Sequence, residues 1–191
     1  MSGSYQEAAF NHFRLDRDEG QETKLIVWCE AAGMGPQLER VADGYGVLVF
    51  SSGGFDSLTE KHRFAEQVAR SERPVEVLSV GDLDVSGAHM PLALSEDVQA
   101  FVDELGGSAT FTRLAVTPQQ VKALRLPTAP PKASDKRAFH GKTCQAEAIP
   151  PEELARIVRD GIEARMDTDV YRRLLKREER ERAKLRRLIG E

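Results

Sequence analysis

The sequence predicts an α/β protein built on an open, mostly parallel sheet, with a C-terminal helical extension. Short apolar runs alternate with helical patterns four times between residues 25 and 124, which is typical of parallel α/β sheets. The first two runs contain no polar side chain, as expected of strands that are covered on both faces. Beyond residue 150 the apolar spacing is helical.

The strands are identified from runs rich in β-branched and aromatic residues that end at glycine or at polar residues. The first two runs are expected to be buried on both faces. The third run continues directly into Gly81-Asp82-Leu83-Asp84. The four predicted strands are Leu25–Cys29, Gly46–Phe50, Val75–Val80 and Thr110–Val116.

Capping residues indicate where the helices between these strands begin. Pro36 suits the first turn of one helix, and Ser95 is a favourable N-cap for another. Thr117 and Gln120 have the spacing of a capping box. Pro91 is expected to break the short helical turn that precedes Ser95. The predicted helices cover residues 36–42, 57–71, 95–105 and 117–124, followed by a helix from residue 150 and a last one from residue 169.

Helical spacing also predicts which side chains these helices bury. Residues three and four positions apart share one face of a helix, so apolar residues at that spacing mark the face that packs on the sheet. The predicted buried positions are Leu58, Phe64, Ala65, Val68 and Ala69, then Val98, Phe101, Val102 and Leu105, and finally Leu154, Ile157, Val158 and Ile162.

The chain divides into three predicted regions. In the first, the spacing of Phe10 and Phe13 indicates a short helix. The second contains an extended loop at residues 125–142 and a short edge strand at Thr143–Ile149. The predicted boundaries are 1–23 for a polar lead-in, 24–149 for the α/β domain, and 150–191 for the C-terminal helices with a basic tail.

The composition argues against several classes of protein. The 191 residues are 40% hydrophobic and 30% charged, which fits a globular domain. No apolar run approaches the roughly 20 residues that cross a bilayer, and the N-terminus lacks the pattern of a secretory signal. Cys29 and Cys144 are too few for a disulfide scaffold or a zinc site. We therefore expect a cytoplasmic protein without membrane association.

The net charge of −4 is unevenly distributed. Residues 172–187 contain nine Lys or Arg and three Glu, a local charge of +6. This pattern fits a solvated helix with Glu–Arg pairs such as Glu178–Arg182, and it also fits a surface that contacts phosphates. The candidate nucleic-acid-binding residues are Lys132, Lys136 and Arg137 in the loop, and Arg172, Arg173, Lys176 and Arg177 in the tail.

Acidic residues follow two of the predicted strands. Glu30 follows the first strand, and Asp82 and Asp84 follow the third. Because ligands of open α/β sheets bind beyond the carboxyl ends of the strands, these carboxylates are expected to form one site. Carboxylate oxygens suit Mg²⁺ better than Zn²⁺. Taken alone, an Asp-x-Asp pair also fits a solvated loop.

A glycine turn follows the second predicted strand. Its residues are Gly53-Gly54-Phe55-Asp56-Ser57. Glycine lets the backbone approach a ligand closely, so Gly53, Gly54 and Ser57 are candidates for lining the same site.

Together these motifs resemble the Toprim domain, which topoisomerases, primases and some nucleases share. The resemblance is closer still to the Toprim part of the topoisomerase VI A subunit and of the related meiotic double-strand-break transesterase, including bacterial and phage relatives. The family's Glu falls on Glu30, its glycine turn on residues 53–57, and its Gly-Asp-x-Asp-Pro-Ser-Gly signature on residues 81–87. Further segments that resemble the bacterial relatives are residues 113–117, 132–137 and 147–151.

The resemblance implies a protein that acts on DNA phosphodiester bonds with Mg²⁺, or with Mn²⁺ in its place. It assigns Glu30, Asp82 and Asp84 both as the metal ligands and as the catalytic residues. In the family, the nucleophile is a tyrosine in a winged-helix domain that precedes the Toprim domain. Tyr5, Tyr45 and Tyr171 do not resemble its context, so a separate subunit or an upstream domain would supply it. If water attacks instead, the protein would be a nuclease.

Departures from the family pattern keep other hypotheses open. Ala31 stands where relatives often carry Lys, Val85 replaces the signature Pro, and Gln145 replaces a carboxylate. A non-catalytic module of the same fold, which binds nucleic acid or a partner protein, is therefore the second hypothesis. The third is an unrelated Asp-x-Asp enzyme, such as a phosphohydrolase or a nucleotide-sugar transferase. Such a phosphohydrolase would carry the motif on its first strand, where this chain has Glu30.

Overall fold

Residues 13–30, 32–51, 58–83, 90–130 and 142–189 are described by a computed structural model of the chain. In these ranges four parallel strands form one sheet, in the order β2-β1-β3-β4. The predicted open, parallel α/β fold is confirmed. The strands are β1 (Lys24–Cys29), β2 (Leu48–Ser51), β3 (Val75–Val80) and β4 (Ala109–Ala115).

Helices cover both faces of this sheet. Short 3₁₀ segments at Ala32–Met34, Asp43–Tyr45 and Ala146–Ala148 occur in the connections. No described helix has both the length and the apolar character needed to cross a membrane. The helices are α1 (Gly35–Ala42), α2 (Leu58–Ala69), α3 (Met90–Glu104), α4 (Pro118–Ala123), α5 (Pro151–Glu163) and α6 (Thr168–Ile189).

Alternate residues of the central strands point to two separate cores. On one face, Val27 and Leu78 pack with α1 and α5. On the other face, Trp28 and Val77 pack with α2 and α3. This period of two is the usual consequence of the pleat of a strand. Both central strands are therefore largely buried on both sides, which confirms the prediction for β1.

The C-terminal part contains one helix that belongs to the core and one that lies outside it. Leu154, Val158 and Ile162 of α5 are fully buried in the same core as α1, as their helical spacing predicts. In contrast, α6 contributes Leu174 as a buried apolar side chain, while Leu188 is 81% exposed.

Several predicted elements differ in detail. The second strand is not buried on both faces, because β2 lies at the edge of the sheet and Leu48 is 44% exposed. Leu58 and Leu105, predicted to be buried, are 67% and 43% exposed because they lie at or just beyond a helix end. The predicted edge strand Thr143–Ile149 is wrong, since it consists of two isolated bridges followed by a 3₁₀ turn.

The start of α3 also differs from the prediction. The helix begins at Met90, and Pro91 is its second residue rather than a break before Ser95. Proline is tolerated in the first turn of a helix, where the backbone N–H has no intrahelical partner. The capping box of α4 is confirmed, because the Thr117 hydroxyl accepts from the Gln120 N–H and the Gln120 side chain accepts from the Thr117 N–H.

Candidate functional site

The candidate site lies where the carboxyl ends of β1 and β3 meet. The chain runs from β1 to β2 on one side of this point, and from β3 to β4 on the other. Such a reversal of strand order opens a crevice that commonly binds ligands in open α/β sheets. Cys29 is paired with Val80, and the Glu30 N–H extends the ladder by donating to the Val80 carbonyl at 2.9 Å. Glu30 and Gly81 therefore lie side by side at the crevice.

The side chain of Glu30 lies directly over Gly81. A Cβ atom added to Gly81 would be 1.9 Å from Glu30 Oε2 and 2.3 Å from its Cδ. Any side chain at residue 81 would therefore collide with this carboxylate. A side chain at residue 81 would therefore displace the end of the Glu30 side chain, and the close approach brings this carboxylate to the residue that precedes Asp82.

Backbone groups from residues 144–146 hold the segment that carries Asp82. The Ala146 N–H donates to Asp82 Oδ1 at 2.8 Å. Leu83 and Cys144 exchange two backbone hydrogen bonds, at 2.8 and 2.7 Å. Burial raises the pKa of the Cys144 thiol, and the negative charge of Asp82 raises it further. The thiol is therefore held in its protonated form beside the carboxylate.

Arg113, on β4, donates to three backbone carbonyl groups in and next to this segment. Its Nη1 donates to the carbonyl of Asp82 at 2.9 Å and to that of Val116 at 3.2 Å, with the Gly81 carbonyl at 3.4 Å. The Nε and Nη2 atoms of the same guanidinium are buried. A positive charge is thus fixed next to the residues that carry the two carboxylates.

The structure therefore brings Glu30 and Asp82 to one edge of the sheet. Asp84, which is the third predicted ligand, lies outside the described residues, as do Gly53, Gly54 and Ser57 of the glycine turn. Within the described part of the chain, no group of three or more His, Cys, Asp or Glu could hold a metal ion. The three-carboxylate metal site remains a prediction. Two of its three residues, Glu30 and Asp82, lie in the described part of the chain.

Two contributors to the site were missed by sequence reasoning. Arg113 was included only in a run that resembles the family, although a charged residue in an otherwise buried strand end was a usable signal. The Ala146 N–H gives no sequence signal, because every residue except proline carries this group. Only the fold shows that it reaches Asp82.

Tyr45 and Tyr171 lie at the opposite edge of the sheet. Their rings stack at 5.4 Å, beside the turn that leads into the amino end of β2. The Tyr45 hydroxyl donates to Glu163 Oε1 at 2.5 Å, and burial together with this bond raises the pKa of Tyr45 to about 12. The Tyr171 hydroxyl donates to the Gly44 carbonyl at 2.7 Å. Neither hydroxyl is positioned to attack a substrate held by Glu30 and Asp82.

The basic tail is part of α6, and this helix is attached to the segment that precedes β1. Glu178 is only 4% exposed and accepts two bonds from Arg17, at 2.9 and 3.2 Å, and one from the Leu15 N–H at 3.1 Å. Burial alone would raise the pKa of Glu178, but the bonds from Arg17 and Leu15 outweigh it and lower that pKa. The helix is thus fixed at the amino edge of the sheet, away from Glu30.

The predicted nucleic-acid-binding residues fall into three groups. Arg172 pairs with Asp169, and Arg177 forms a bidentate pair with Glu19. Arg173 and Lys176 are exposed. The predicted contacts Lys132, Lys136 and Arg137 lie outside the described residues.

No protein-family model, no curated protein and no solved structure matches this chain. The likeness to the Toprim domain thus rests on the motifs at residues 30, 53–57 and 81–87.

Proposed function

We propose that the chain is a Toprim-like protein that uses Mg²⁺ to act on DNA phosphodiester bonds. The observation that carries this proposal is the placement of Glu30 against Gly81, next to Asp82, at the point where the strand order reverses. Two carboxylate-bearing residues from different strands thus lie at the edge where ligands of such sheets bind. This arrangement supports a metal site over a solvated loop, because the Glu30 side chain lies along the sheet edge against Gly81.

The donor groups at this edge fit Mg²⁺ or Mn²⁺. Glu30 and Asp82, with Asp84 as the third predicted ligand, offer carboxylate oxygens, which hard divalent cations prefer. The nearby sulfur of Cys144 is a buried thiol with a raised pKa, so it does not provide the thiolate that a softer metal would select. When bound, such an ion would stabilise negative charge on a phosphodiester.

The chain's own residues would orient the ligands. The Ala146 N–H fixes one oxygen of Asp82, and Arg113 fixes the backbone on either side of that residue. Glu30 is held by its place in the ladder and by its contact with Gly81. Preorganisation of this kind reduces the cost of arranging the carboxylates around an ion.

The nucleophile would come from outside the described chain. Tyr45 and Tyr171 lie at the other edge of the sheet. Water as the nucleophile would make the protein a nuclease. A tyrosine from a separate subunit or an upstream domain would make it the metal-binding half of a topoisomerase-like transesterase.

The test uses supercoiled and linear DNA with Mg²⁺, with Mn²⁺ and with chelator. We expect metal-dependent nicking that falls at least 100-fold in Glu30→Ala and in Asp82→Asn. Glu72→Ala, an exposed carboxylate before β3, is the matched control and should nick like the wild type. Titration with Mn²⁺, followed by electron paramagnetic resonance, measures the site without turnover. Nicking and Mn²⁺ binding that are unchanged in both site variants would refute the proposal.

A non-catalytic module that binds nucleic acid is the second candidate. It is favoured by the exposed basic residues of α6, such as Arg173 and Lys176. This candidate predicts DNA binding that persists in chelator and in Asp82→Asn, with DNA left intact under every metal condition.

A further inference from the structure

One side of α6 carries a row of exposed cations, which we call the basic face. Its members are spaced by three or four residues, so they lie on one side of the helix. All of them are exposed. The basic face consists of Arg173, Lys176, Arg180, Lys184 and Arg187.

The orientation of this face is fixed by what the other side of the helix contacts. Leu174 is 5% exposed and Glu178 is 4% exposed, and both point towards the rest of the protein. Arg182 donates to Glu178 and to the Phe13 carbonyl, at 2.9 and 2.8 Å. A helix held in this way cannot rotate its basic face inward.

The structure separates the basic residues of the tail by role. Arg177 and Arg182 connect the helix to the segment before β1, through Glu19 and the Phe13 carbonyl, whereas Arg172 pairs with Asp169 within α6. Among the described residues, Lys184 alone of the basic face forms a salt bridge, with Glu181 at 2.8 Å. The sequence shows nine cations, whereas the structure shows which of them present their charge to solvent.

We propose that the basic face binds the phosphate backbone of duplex nucleic acid, as a contact separate from the carboxylate site. From Arg173 to Arg187 it extends about 21 Å, at 1.5 Å per residue. A straight row of cations of this length is complementary to a duplex, which carries one charge per about 1.7 Å of its axis. The inference rests on the proposed function only in taking nucleic acid as the partner.

A membrane surface is disfavoured by the same geometry. Helices that lie in a membrane interface expose a broad apolar face beside the basic one. Here Leu174 is buried against the protein, and Leu188 is the exposed large apolar side chain of the described part of α6.

The basic face and the carboxylate site lie at opposite edges of the sheet. Residues 15–21, which hold α6, precede β1, whereas Glu30 follows it. The six residues of β1 span about 20 Å. Binding by α6 should therefore depend neither on a divalent metal nor on Asp82.

The test is fluorescence anisotropy with a 25-base-pair duplex in chelator, between 50 and 200 mM salt, on the full chain. The test variant combines Lys176→Gln, Arg180→Gln and Arg187→Gln. For five phosphate contacts, a plot of the logarithm of the binding constant against the logarithm of the salt concentration should have a slope of about −4.5 for the wild type. Because the variant lacks three of these contacts, the magnitude of its slope should be smaller by about 2.7. Asp82→Asn should bind like the wild type.

A control of equal charge change combines Arg40→Gln, Lys122→Gln and Arg159→Gln, which are exposed positions outside α6. Circular dichroism and urea unfolding check that both triple variants fold. The inference is supported if only the basic-face variant loses slope, even when no metal-dependent nicking is found. It is overturned if the two triple variants behave alike, if the wild type does not bind the duplex, or if vesicles with phosphatidylserine bind it more tightly than the duplex does.

Discussion

Gly81 offers the sharpest test of whether Glu30 belongs to a metal site. In Gly81→Ala the new Cβ would start 1.9 Å from Glu30 Oε2, whereas ordinary contacts begin near 3.4 Å. The carboxylate must therefore retreat by about 1.5 Å. The φ angle of Gly81 lies outside the left-handed region, so the backbone itself accepts alanine.

The cost of this change should appear in metal binding rather than in stability. The atoms that must move are the end of a flexible side chain, so we expect a loss of less than about 1 kcal/mol in the free energy of unfolding, below the 1–3 kcal/mol typical of overpacked cores. A displaced ligand or supporting group typically weakens metal affinity by about 10–100-fold. We expect Mn²⁺ affinity to fall in that range.

Three further variants complete the assay by Mn²⁺ titration and urea unfolding. Gly33→Ala is the matched control, because a Cβ there meets nothing within 4 Å. Glu30→Ala should weaken binding, and adding Gly81→Ala to it should weaken binding no further, since the carboxylate that collides is gone. Unchanged Mn²⁺ affinity in Gly81→Ala would refute the role of Glu30. An additional loss in the double variant would show that the alanine acts on something else.

Two other contacts give predictions about stability. Glu178→Gln should lower the free energy of unfolding, measured in urea, by about 3 kcal/mol, because it leaves the guanidinium of Arg17 buried without its counter-charge. The control is Glu179→Gln at an exposed position, which should change the free energy of unfolding by less than about 0.5 kcal/mol. The folded pKa of Glu178 lies below its ordinary value of 4.5. The stability that this carboxylate contributes is therefore complete above pH 4.5 and is lost as the pH falls through the folded pKa. The difference in free energy of unfolding between wild type and Glu178→Gln should shrink in acid. Thr117→Ala should lower the free energy of unfolding by about 1 kcal/mol, because it removes the hydroxyl that accepts a hydrogen bond from the Gln120 N–H. An unchanged unfolding midpoint would contradict this prediction.

The fold could be predicted largely because its strands and helices are marked by local patterns. The runs that became β1 and β3 are mostly apolar, and both strands are largely buried on both faces. The same kind of run in β2 gave a wrong burial prediction, because which strand lies at an edge depends on strand order. The alternation of strands and helices does not determine that order.

The site could be predicted only as a gathering of residue types at one edge. Glu30 directly follows β1 and Asp82 follows β3 after one glycine, so the parallel fold was enough to bring both to one edge of the sheet. The contact between Glu30 and Gly81 depends on the register of β1 against β3, which no local pattern encodes. The support from Ala146 depends on a loop that returns from residues far along the chain.

The separation of the two charged regions has a consequence for how DNA would be held. The two regions are attached at opposite ends of β1, whose span of about 20 Å exceeds the screening length of about 8 Å at physiological salt, so the basic face should offset little of the repulsion between the carboxylates and a phosphate. At the carboxyl edge, among the described residues, Arg113 is the cation that contacts the Asp82 segment, and its Nη1 is engaged with carbonyl groups. Approach of a phosphodiester to this edge should therefore require a divalent ion, while binding to α6 requires none. The divalent ion would then be needed for reaction at the phosphodiester but not for the affinity for DNA. Asp82→Asn should disable the reaction, and the basic-face variant should independently weaken DNA binding.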